Sequence, residues 1–80
     1  MERTEILEKI QEIFRDIIDN DELELAENLT AYDIEGYDSL SHIQIVVSIE
    51  KEFKIKFLAS EINSWQNIGE MMDCIVNKIN

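Results

Sequence analysis

No proline occurs anywhere in this chain of eighty residues, and only two glycines do, Gly36 and Gly69. Those two residue types break helices most reliably, so a chain almost free of them admits long helical segments and few abrupt turns. The apolar residues then say where the helices lie. Ile6, Leu7, Ile10, Ile13, Phe14, Ile17 and Ile18 recur three and four apart with charges on the opposite side, which predicts an amphipathic helix over residues 2–19. From 20 to 38 the period dissolves into acids, asparagine and threonine, so a long loop is expected, with Leu23, Leu25, Leu29 and Ile34 available to pin it and Gly36 closing it. A second helix begins at Asp38 or Ser39 and runs to about Phe53, Asp38 being well placed as its N-cap. One or two turns over 58–64 follow. The last helix, over 67–78, sets Ile68, Met71, Met72, Ile75, Val76 and Ile79 on one face. The expected fold is all-α, a small antiparallel four-helix bundle with a long first loop and a short third helix, forming a single domain over residues 1–80.

Eighteen acidic residues stand against seven basic ones, a formal charge of -11, so nucleic acid backbones and anionic membranes should repel this chain and its partners should be basic. The hydrophobic content of 45% is ordinary for a globular protein, so the charge does not signal disorder. Cys74 alone cannot form an internal disulfide, and His42 alone is too little for the usual zinc sets; no metal site is expected. With no signal peptide and no apolar run of membrane length, the chain reads as soluble, cytoplasmic and monomeric, without membrane insertion.

The second helix carries most of the functional information. At about 100° per residue from Leu40, the residues Ile45, Val46, Ile49 and Phe53 fall between roughly 140° and 240°, whereas Ile43 and Val47 fall with Leu40 between roughly 300° and 360°. The first set is a core stripe. An outer helix of so small a bundle cannot easily bury both, so Leu40, Ile43 and Val47, bordered by Gln44, Glu50 and Lys51, read as an exposed docking face; the competing reading packs them under the long loop. Ahead of them runs Gly36-Tyr37-Asp38-Ser39-Leu40, which puts a hydroxyl on the first turn, where unpaired amides and the helix dipole favour an anion such as phosphate. On spacing alone, Ser39 reads as a capping residue.

Asp38-Ser39-Leu40 after Gly36, followed by Ile43, Ile45, Val46, Ile49, Glu50 and Phe53, resembles the acyl carrier proteins, and the resemblance spans nearly the whole chain. It implies that Ser39 is the attachment point of 4'-phosphopantetheine, supplied from coenzyme A by a phosphopantetheinyl transferase. It also implies a carrier rather than an enzyme, holding acyl groups as thioesters for fatty acid, polyketide or related specialised biosynthesis. Glu35, Asp38, Leu40, Ile43, Val47 and Glu50 then become the face that meets basic patches on acyl-loading, condensing or acyl-transferring enzymes. Three departures stand out. Ser41, Gln44 and Lys51 lie where carriers of fatty acid synthesis usually show acids, Tyr37 stands where many have alanine, and His42 follows; this looks more like carriers of specialised pathways.

Two other classes compete. An aminoacyl or peptidyl carrier shares the fold and the serine, and an unmodified acidic adaptor would use the same apolar face without the arm. A Gly-Asp-Ser-Leu-type hydrolase fails because His42, three residues along the same helix, is poorly set as a base and no sheet supplies an oxyanion hole. A calcium loop at 19–22 fails because Leu23 and Glu24 fill positions where the loop needs an oxygen and a glycine. Cys74 reads as a small, half-buried side chain, His42 as a partly buried or surface one, and Trp65 as a core plug whose indole N–H finds a carbonyl.

Overall fold

A computed structural model describes residues 1–79; Asn80, the last residue of the expected domain, lies outside the described residues. Four α-helices follow one another, α1 Arg3–Ile18, α2 Ser39–Phe53, α3 Ala59–Ile62 and α4 Ile68–Ile79, and the described residues contain no strand. The expected all-α architecture is the one observed.

Helix α1 buries Ile6, Ile10 and Phe14, the four-residue row of its apolar side. It stops at Asp19, which takes the left-handed conformation at φ 62° and returns its N–H to the Arg15 carbonyl. Helix α2 faces α1 with Ile45, Val46, Ile49 and Phe53, all buried, while α4 closes the core with Ile68, Met71, Met72 and Ile75.

The long first loop is better ordered than its sequence suggests. Thr30 and Asp33 close a 3₁₀ turn at Ala31–Asp33, in which the Asp33 carboxylate accepts from the Thr30 amide at 2.9 Å and its hydroxyl at 3.1 Å. The pattern reading missed this turn because one turn of 3₁₀ carries no apolar period. Leu25 and Ile34 are buried, and Leu23 and Leu29 partly so, as the pinning role expected of them requires. Backbone bonds hold the loop too: the Leu25 amide donates to Gln11 at 2.8 Å, Arg15 donates to the Leu23 carbonyl at 2.7 Å, and the Ile68 and Gly69 amides donate to the carbonyls of Leu29 and Glu27 at 2.9 and 2.8 Å. The start of α4 thus satisfies its orphan amides on the loop. Gly69 permits that approach, since a Cβ there would stand 3.1 Å from the Glu27 carbonyl oxygen. Arg3 completes the clamp, bridging Glu27 and Asp73 at 2.8 Å each and the Gly69 carbonyl at 3.1 Å.

Helix α3 is one turn, at the short end of expectation. The Ser64 hydroxyl donates to the Glu61 carbonyl at 2.7 Å, and this side-chain bond competes with continuation of the helix. Glu61 holds the turn in place by accepting from the Leu58 amide at 2.7 Å and pairing with Lys78 of α4 at 2.9 Å.

Candidate functional site

The site is built by the loop's exit into α2. Gly36 adopts φ +87°, a region L side chains rarely enter, and this reversal delivers Tyr37 inward and Asp38 to the helix start. Asp38 caps α2 as expected: its carboxylate accepts from the Ser41 amide at 2.8 Å, which holds that carboxyl below the usual carboxylate range. The Ser41 hydroxyl reaches back to the Gly36 carbonyl at 3.3 Å. Between them Ser39 opens the helix, exposed, with no hydrogen bond to its hydroxyl among the described residues. One part of the anion-site expectation is revised here, because Asp38 already occupies the Ser41 amide; a phosphate on Ser39 would face solvent beside an ionised carboxylate.

The apolar stripe beyond Ser39 is wet. Leu40 is 65% exposed, Ile43 60% and Val47 42%, so the loop does not cover them. Glu35 is exposed ahead of Gly36, and Gln44 and Lys51 are exposed beside the stripe. Glu50 has a local task as well, since its carboxylate accepts from the Phe57 amide at 2.9 Å and fastens the segment after α2.

Sequence reasoning missed an aromatic relay beneath the site. The Tyr37 ring stacks on Phe14 with centroids 5.6 Å apart, and its hydroxyl bonds Nδ1 of His42. His42 in turn lies 6.2 Å from Trp65, which meets Phe57 edge-on at 4.9 Å. Burial pushes the Tyr37 phenol up to about 12 and lowers His42, against a bond from His42 to the Ile62 carbonyl that favours its charged form. Residues 37, 42 and 65 share no helical spacing, so no pattern in the sequence announces the group. Trp65 is partly buried, and among the described residues its indole N–H makes no hydrogen bond to the expected carbonyl. Next to the relay, a cavity of about 380 Å³ opens between the first loop and the start of α4, lined by Leu29, Ile34, Tyr37, His42, Trp65 and Met71 among others.

A helical bundle whose second helix opens on a free, exposed serine and continues as a wet apolar stripe is the architecture of a carrier domain. The family model for the phosphopantetheine attachment site matches residues 8–75. The acyl carrier protein of Cyanidium caldarium is 32% identical over 98% of this chain and 91% of its own length, and that of Thermosynechococcus vestitus is 29% identical over 99% and 98%. The solution structure of the holo acyl carrier protein from Geobacter metallireducens superimposes with a TM-score of 0.84 at 37% identity, covering 91% of this chain and 84% of that one. The chain belongs to the acyl carrier protein family, and its role is that of a carrier with phosphopantetheine as the prosthetic group. No helix among the described residues is long and apolar enough to cross a membrane.

Proposed function

We propose that Ser39 carries the 4'-phosphopantetheine arm, and that the chain delivers acyl thioesters to successive enzymes of a fatty acid, polyketide or related specialised pathway. The observation that supports this most directly is the hydroxyl itself: exposed, free of hydrogen bonds among the described residues, and on the first turn of α2. A phosphopantetheinyl transferase can reach it without unfolding any element. The fit is favourable for a diester of this kind, because nothing packs over Ser39 and the dipole of the fifteen-residue α2 opposes the repulsion from Asp38. Once attached, the arm supplies a terminal thiol for thioester exchange. The chain's own residues hold the attachment point rigid through the Asp38 cap and the Gly36 turn, and offer Leu40, Ile43 and Val47 to the enzyme that receives the cargo.

Glu35 and Asp38 flank the Ser39 end of this face as acids for basic docking patches, and a net charge of -11 speeds encounter with them, while Glu50 further along is engaged by the Phe57 amide. Such contacts are small and short-lived, as delivery requires. The protein acts as a cytoplasmic monomer without catalysis of its own. Intact-mass measurement after incubation with coenzyme A and a broad-specificity transferase tests the proposal. One phosphopantetheinyl group should be gained by the native chain and none by Ser39→Ala, with the two melting alike. A native chain left bare while a control carrier is modified would leave only an acidic adaptor.

A further inference from the structure

Seven basic residues are present, and four of them are engaged: Arg3 with Glu27 and Asp73, Lys9 with Glu52, Arg15 with Glu12, and Lys78 with Glu61. The remaining three, Lys51, Lys54 and Lys56, are exposed, have no carboxylate within ion-pair distance among the described residues, and lie together at the far end of α2. Their dispersal among eighteen acids elsewhere would have been easy. Instead they rim a shallow cleft of about 320 Å³ whose other walls are Val47, Glu50 and Ile55. Val47 is also the last member of the exposed apolar stripe, so the cleft continues the proposed docking face.

Lys54 sharpens the case. It sits at φ 57°, left-handed, just past the end of α2, where glycine would be the less strained residue. Lysine stands there in place of the glycine that the backbone would prefer, and the negative end of the α2 dipole favours its charge.

We infer that the cleft framed by Lys51, Lys54 and Lys56 is a second docking point of opposite sign, which receives an acidic protrusion of a partner enzyme while the Ser39 end of α2 receives a basic one. This deepens the carrier reading and rests on it. The two poles are about 18 Å apart, twelve residues at about 1.5 Å each, so a partner must match a bipolar strip and can bind in one direction only. Ion pairs at a rim of this kind act through orientation and encounter rate. A protein surface suits the cleft better than an anionic membrane: three lysines are fewer than the clusters of about four to eight that lipid surfaces favour, and the rest of the chain repels such a surface.

The test is a titration of the isotopically labelled, unmodified full chain with an octaglutamate peptide at low salt, followed by amide chemical shifts. Shifts confined to residues 47–56 are expected even though protein and peptide are both acidic. Replacing the three cations, as Lys51→Gln and Lys56→Gln with Lys54→Gly, should weaken binding roughly tenfold. Lys54→Gly by itself should melt no lower than the native chain, so a loss of affinity there is not a loss of fold. Unmoved amides at 47–56, or equal affinity of the triple variant, would overturn the inference. So would lysine-dependent binding to phosphatidylglycerol vesicles with no response to the peptide, which would assign the cleft to a membrane. Because this chain is unmodified, a failed titration counts against the lysines only, and a missing mass gain counts against Ser39 only.

Discussion

On one side of α2, Ile45 and Ile49 are wholly buried in the core with α1, whereas on the other Leu40 and Ile43 keep more than half their surface in water. The side chains are chemically alike, so hydrophobicity cannot be what separates them. The width of the neighbouring elements does: α1 and α4 cover one side, and the first loop is spent against α1 and the start of α4. A stripe left bare in this way costs folding little, because the same surface is exposed in the unfolded chain, and it remains available to a partner.

The contrast can be broken most sharply in the core. Ile49→Ala should lower stability by about 2–5 kcal/mol, read from urea or thermal unfolding, since it removes a side chain with no solvent access. A loss under about 1 kcal/mol would mean that the two sides of α2 are not distinct after all. Gly36→Ala comes next, at about 1 kcal/mol, mostly from forcing a Cβ into φ +87°; the Ile18 methyl 3.2 Å away can yield. If the melting point stays put, the turn into α2 is looser than described.

His42 tests the ground beneath the two sides. Its folded pKa is lowered by burial relative to the unfolded chain, so the unfolded state binds the extra proton first. Stability should therefore be intact above about pH 6.5 and decline as acid is added below that value, and His42→Gln should flatten this part of the profile. The lowered carboxyls of Glu27, Asp38 and Glu61 titrate in a separate, more acidic window, below about pH 4.5. A native profile flat from pH 7 to 5 would remove His42 from any structural role. The smallest effect on stability belongs to the wet stripe: Leu40→Ala and Val47→Ala should change unfolding by no more than about 0.5 kcal/mol while raising the KM of the transferase for the chain. Core-sized destabilisation by either would put the stripe on the wrong side.

Much of this was legible beforehand. The Ile6, Ile10, Phe14 row, the Asp38 cap and the division of α2 into a buried and a bare stripe follow from spacing, because a helix converts sequence interval into direction with little outside help. The Gly36-to-Leu40 run likewise placed the candidate site at the head of α2, where Ser39 stands exposed. The 3₁₀ turn at Ala31–Asp33 and the single turn of α3 were harder, since each rests on one or two side-chain bonds that compete locally with other conformations.

Periodicity and capping chemistry, both local, therefore determined the helices, their inward faces and the serine at the head of α2. Tertiary structure alone decided the rest: Tyr37 stacks on Phe14, His42 meets Trp65 beneath the site, and the amides of Ile68 and Gly69 close on the first loop. These groupings depend on where distant segments come to lie. That is set by the packing of whole elements, not by any interval along the chain.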